Sequence, residues 1–137
     1  MDRELEALAT QIYTEYNLGV DLEQFVPKAT AQLIDWSGSQ GPDVFAIKRL
    51  HLLKPELDVV GYAYRQSNPS AKVAHENPKR TVPAVRSGNG RITIFDPFLP
   101  DFVDGVEQRV YSPREHDKYP VPLYSKPEIV DVLFDKQ

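Results

Sequence analysis

A chain of 137 residues, 41% of them hydrophobic, suits one compact domain that buries roughly two thirds of the surface its unfolded form would expose. It contains no cysteine, which excludes disulfides, thiolate metal sites and a thiol nucleophile. The net charge of −4 hides a gradient: residues 1–47 carry two basic and eight acidic side chains, 48–91 nine and three, and 92–137 five and nine, a balance of −6, +6 and −4.

Leu5, Leu8, Ile12, Tyr13 and Tyr16 recur at helical spacing, and Asn17 with Gly19 supplies a stop, so a first helix is expected over about residues 3–17. Pro27 can open a second helix over about 27–36, because its missing N–H would be unbonded in a first turn anyway. After a Gly/Ser loop, Pro42 and Asp43 open a third helix bearing Phe45, Ala46, Leu50 and Leu53, and Pro55 follows its end. Past Pro55 the period changes. LDVVGYAYRQ has the β-branched and aromatic content of a strand, and SNPSAKVAHENPKR reads as a long loop. TVPAVRS and RITIFD flank Ser-Gly-Asn-Gly and form a β-hairpin, since Asn and Gly tolerate the positive φ of a tight turn. EQRVYS is a candidate fourth strand. PREHDKYPVPLYSKP is expected to run extended over the surface, and EIVDVLFDK to dock as a last short helix. Helices segregated before strands give an α+β class: a helical part over about 1–54, a sheet of about four strands over 55–112, and a Pro/Tyr-rich tail over 113–137.

No apolar run approaches the ~20 residues that cross a bilayer, and MDRELEAL is acidic where an export signal is basic; no membrane partner and a cytoplasmic location are the expectation. The spacings of dedicated metal sites are absent, and Asp101, Asp104 and Glu107, three apart, read as a solvated face. No metal and no cofactor are expected.

The order of elements carries one family likeness. A helix begun after a Gly-rich loop (SQGPDVFAIKRL), a strand (KRTVPAVRS) and a hairpin partner ending in Asp-Pro (RITIFDP) resemble the core of papain-like thiol hydrolases and of bacterial papain-fold toxin and deamidase domains. In that family a cysteine stands at the helix start, a histidine begins one strand, and an Asp or Asn on the next strand orients the histidine. The corresponding positions here offer Ser39, Gln40, Pro42 and Asp43, then Arg80, Thr81 and Val82, then Asp96, so the likeness implies a degenerate member without its nucleophile and base. Asp96 is then a remnant or a turn residue before Pro97.

Two functional readings stay open. In the first the domain is non-catalytic and binds another protein, as a regulatory, accessory or toxin-neutralising module; Arg86, Arg91, Asp96, Tyr111, Tyr119 and Tyr124 are its candidate contacts, the tyrosines because the C-terminal third interleaves them with prolines. In the second it is a small endoribonuclease of the bacterial toxin kind. RNA cleavage through the 2′-hydroxyl needs a base, an acid and a cation, and His75, Arg80, Glu115 and His116 are candidates, with RNA held by the basic 48–91 segment. Alternatively the cations of that segment pair with the acidic flanks. His51, between Leu50 and Leu52, reads as a partly buried or surface imidazole.

Overall fold

The alternating residues that follow Pro55 become a single antiparallel sheet. In the computed structural model residues 2–20, 31–33, 41–65, 79–99, 108–116 and 125–134 are described. They form helices α1 (Asp2–Asn17), α2 (Gly41–Leu53) and α3 (Pro113–His116), and strands β1 (Ala31–Leu33), β2 (Asp58–Arg65), β3 (Lys79–Arg86), β4 (Ile92–Phe95), β5 (Val110–Tyr111) and β6 (Glu128–Phe134). The strands lie in the order β1-β6-β2-β3-β4-β5, antiparallel at each step. The class is α+β. Among the described residues no helix is long and apolar enough to cross a membrane.

α1 buries Leu5, Ala9 and Ile12, spaced four and three apart along one stripe. Leu5 and Ile12 each contribute roughly 1.5–3 kcal/mol of burial. The helix stops as expected: Gly19 takes φ 74°, its N–H donates to the Tyr16 carbonyl and that of Val20 to the Glu15 carbonyl, both at 3.0 Å. This is the left-handed cap that glycine adopts without steric cost. α2 packs against both α1 and the sheet, burying Phe45, Ala46, Ile47 and Leu50; its Arg49 grips Glu15 of α1 through Nε at 2.6 Å and Nη2 at 3.2 Å.

Period two then divides the sheet. Val59, Val85, Phe95 and Val110 face the helices, while Val60, Tyr62, Tyr64, Val82, Ala84, Ile94 and Tyr111 form a second core with Leu99 on the opposite face. Gly61 on β2 leaves no room for a side chain, because a Cβ there would lie 2.9 Å from Thr81 Cγ2 of β3. The β3–β4 hairpin is the expected one: Gly90 has φ 82°, the Ser87 N–H donates to the Arg91 carbonyl and that of Gly90 to the Ser87 carbonyl, each at 2.9 Å.

Three expectations are corrected. Of the second helix expected over 27–36 only residues 31–33 are described, and they pair with Val132–Phe134 as β1; the open edge of β6 outweighs the local helical preference of Ala, Gln and Leu. The final short helix is β6, inserted between β1 and β2. Its Val130, Val132 and Phe134 alternate with Ile129, Asp131 and Leu133, a two-residue period rich in β-branched residues that ladders onto β2. The sheet therefore has six strands where about four were expected. The extended tail is helical at Pro113–His116, for a reason visible in Ser-Pro-Arg-Glu. Ser112 caps the turn, Pro113 follows it, and Glu115 Oε2 accepts from the Ser112 N–H at 2.6 Å, a capping box with proline at its first position. His51 lies face to face with Phe134, ring centroids 3.7 Å apart, tying α2 to β6.

Candidate functional site

Three chain segments deliver charge to one buried corner. α2 begins at Gly41-Pro42 and so places Asp43 in its first turn, β3 begins at Lys79 and places Arg80 in phase with the inward Val82 and Ala84, and β4 ends at Phe95, immediately before Asp96. The Arg80 guanidinium fills the space between the two carboxylates. Its Nε and Nη2 donate to Asp43 at 3.1 and 3.0 Å; its Nη1 and Nη2 donate to Asp96 at 2.6 and 2.9 Å; Nη1 also reaches the Tyr64 hydroxyl at 3.4 Å. Five contacts match the five N–H donors of the fork. Asp96 additionally accepts from the Phe98 N–H at 3.2 Å, the turn role expected of an aspartate before Pro97. Both carboxylates are fully buried and the arginine side chain is 5% exposed.

One cation between two carboxylates leaves a net negative charge in a low-dielectric site, which is costly. Burial, reinforced by repulsion from Asp96 and opposed by Arg80, pushes the Asp43 carboxyl up to about 7. Burial alone would favour a neutral Arg80, but Asp96 and Asp43 hold its guanidinium ionised well above its ordinary value. Burial also raises Tyr64 to about 12, so its hydroxyl keeps its proton.

The Tyr64 ring links this cluster to a second one. His116, fully buried, is enclosed by Tyr64, Tyr62 and Tyr111 at centroid distances of 4.8, 5.6 and 5.7 Å, with Nδ1 3.4 Å from the Tyr62 hydroxyl. His116 is thus an internal anchor of α3, and Tyr111 a core ring where a surface contact was expected.

The remaining candidates fall elsewhere. Glu115 is engaged in its capping box. Arg86 bridges Asp58 at 2.9 Å and Asp131 at 3.2 Å on the exposed end of β3, and Arg91 leaves the hairpin exposed. His75, Tyr119 and Tyr124, with Ser39, Gln40, Asp101, Asp104 and Glu107, lie outside the described residues. Of the ribonuclease set, the structure brings Arg80 and His116 near one another only through Tyr64, both buried. Of the papain-like set, Asp43, Arg80 and Asp96 meet directly. The Asp43–Arg80 pairing escapes a reading of the sequence alone, although an arginine in phase with Val82 and Ala84 is the trace it leaves: an inward charge demands a partner.

Compared with protein-family models, curated proteins and solved structures, the chain matches none.

Proposed function

We propose that this chain acts by binding a protein partner, as a non-catalytic regulatory or accessory module on a degenerate papain-like core, a class that includes toxin-neutralising proteins. The observation that carries this reading is the saturation of Arg80. Where a papain-like hydrolase would hold a thiol and an imidazole, the ends of the same three segments supply two carboxylates and a guanidinium, and the guanidinium gives up no proton near neutral pH. A carboxyl shifted to about 7, as in Asp43, has the proton affinity of a general base. Both of its oxygens, however, accept from Arg80 and the residue is fully buried, so a substrate has no route to it.

The same burial weighs against RNA cleavage. Arg80 and His116 are enclosed and Glu115 is spent on a cap, while Arg49, Lys54, Arg80 and Arg86 of the basic segment pair with acidic side chains from other elements. Purified protein incubated with total RNA, and with ester and amide substrates, should give no turnover that responds to Asp43→Asn or His116→Phe. Cleavage abolished by either substitution in a folded variant would reverse the reading. On the binding side, a partner from the native host should form a stoichiometric complex with the purified chain, and should do so equally with Asp43→Asn.

A further inference from the structure

At the opposite edge of the sheet from β1 lies a cavity of about 610 Å³, walled by the β3–β4 turn on one side and by β5 with α3 on the other. Ile92, Val110 and Tyr111 line it together with Arg91 and Arg114 and with hydroxyl and amide groups such as Thr93 and Asn89. We propose that this cavity is a binding site for a small organic phosphate, of the size of a mononucleotide or sugar phosphate.

The first ground is charge. Arg49, Lys54, Arg80 and Arg86 are each committed to one or more carboxylates, whereas Arg91 and Arg114, both exposed, have no carboxylate partner among the described residues. Two uncommitted guanidiniums thus line one concavity. The Glu115 carboxylate shares that lining, but its oxygens accept from the Ser112 N–H at 2.6 Å and from Gln108 Nε2 at 3.4 Å. With Glu115 ionised the three groups sum to +1, suited to a ligand that brings negative charge. The Gln108 amide is engaged by the Val110 carbonyl at 2.9 Å as well as by Glu115, so the donor set for phosphate oxygens is the two forked guanidiniums with the Thr93 hydroxyl and the Asn89 amide beside them.

The second ground is preorganisation. Each arginine is carried on a turn that pins itself. On the hairpin side Asn89 Oδ1 accepts from the Arg91 N–H at 3.0 Å, and the Ser87 hydroxyl donates to the Arg91 carbonyl at 3.2 Å. On the other side the Ser112–Glu115 capping box encloses Arg114, and the buried His116 anchors its end. Backbone held in place before the ligand arrives lowers the entropic cost of binding. The third ground is size: the volume falls within the range of small-ligand sites, whose linings combine apolar side chains with a few polar groups.

The site is independent of the Arg80 corner and of the reading given for it. The test titrates the full chain with adenosine monophosphate, inorganic phosphate and adenosine, followed by amide NMR. Saturable binding of adenosine monophosphate is expected, with shifts at Thr93, Gln108 and Ser112; inorganic phosphate should move the same amides more weakly and adenosine should not bind. Arg91→Gln and Arg114→Gln should each weaken binding about 10-fold, the loss of one charge-assisted contact, and the double variant should abolish it, while Arg86→Gln leaves it unchanged. Both arginines are exposed, so the variants should melt as the parent does. The proposal is overturned if neither anion binds saturably up to millimolar concentration, if adenosine binds as well as its phosphate, if the shifts fall elsewhere, or if the double variant binds undiminished.

Discussion

β3 carries an arginine near each end, and each stands between two aspartates. Arg80 is enclosed with Asp43 and Asp96, whose side chains are fully buried; Arg86, six positions on, bridges Asp58 and Asp131 with the three side chains 38%, 53% and 60% exposed. The residue types and the bond lengths are nearly the same at the two ends. What differs is the surrounding dielectric, and with it the energetics. At the exposed end water and salt screen each ion, so the bridge holds little free energy. At the buried end each ion depends on its neighbours for the hydration it has lost, so removing one strands the others. A strand can thus carry the same triad as a lock at one end and as a solvated surface at the other.

The comparison breaks most sharply at Arg80. Arg80→Ala leaves two buried carboxylates facing one another and is expected to cost about 3–5 kcal/mol in equilibrium denaturation, a large share of what a domain of this size has. Restoring charge balance with Arg80→Leu in an Asp43→Leu, Asp96→Leu background should recover much of that loss, since a packed apolar trio replaces the cluster without stranding an ion. A stability indistinguishable between Arg80→Ala and the parent would remove the distinction between the two ends.

The next effect is expected at Gly61. A methyl there meets Thr81 Cγ2 at 2.9 Å and must push β2 from β3 beside Arg80; overpacking of this kind costs about 1–3 kcal/mol. Because the clashing Thr81 adjoins Arg80 in β3, whereas the Asp58–Arg86 pair lies three pairs from Gly61 toward the exposed end, the loss from Gly61→Ala should be smaller in an Arg80→Leu, Asp43→Leu, Asp96→Leu background than in the parent, and unchanged in Arg86→Gln. Denaturation of the paired variants measures the coupling.

The pH dependence follows from Asp43. Its carboxyl rises from 3.8 to about 7 on folding, so between these values the folded chain binds a proton that the unfolded chain releases. This group therefore makes the protein less stable as pH rises from about 4 to 7, with a slope of at most about 1.4 kcal/mol per pH unit, and level above. Glu15, lowered by Arg49 and Gln11 against the opposing effect of its partial burial, acts oppositely and only in more acidic solution, where its bridge is lost as it protonates. His51, lowered by burial, also opposes Asp43, because stability it contributes above its ordinary value of 6.5 is lost as pH falls. Denaturation midpoints of Asp43→Asn against the parent isolate the Asp43 slope, which should disappear in the variant; a parent slope of the same sign and size in Asp43→Asn would refute the assignment. Smallest of all, Arg86→Gln should leave the midpoint unchanged at physiological salt.

How much of this was legible in the sequence depends on how local the cause is. α2 announces itself by Gly-Pro-Asp at its start and Pro55 after its end, and the β3–β4 turn by Ser-Gly-Asn-Gly, because caps and positive φ are decided by the residues themselves. β1 is not legible because its reason is remote: Ala31–Leu33 are strand only by virtue of β6. β6 carries a local period of two in Val130, Val132 and Phe134, but over so short a stretch of apolar residues that period competes with a helical one, and its pairing with β2 decides. The Ser112–Glu115 capping box is a local signal, but it lies among prolines whose composition favours an extended tail. At the corner, Asp43 and Asp96 were each visible as a helix-start and a turn residue. That one arginine joins them is a fact of three-dimensional packing, foreshadowed only by the inward phase of Arg80.

The closure of that corner underlies the non-catalytic reading, and arginine side-chain NMR tests it directly. The Arg80 Nε–H, bonded to Asp43 and shielded from water, should give a sharp resonance that exchanges with solvent orders of magnitude more slowly than that of Arg86, with rotation of its guanidinium arrested by the contacts on either side. An Arg80 Nε–H that exchanges as fast as that of Arg86 would mean that water enters the cluster, and the corner would again be a candidate for chemistry.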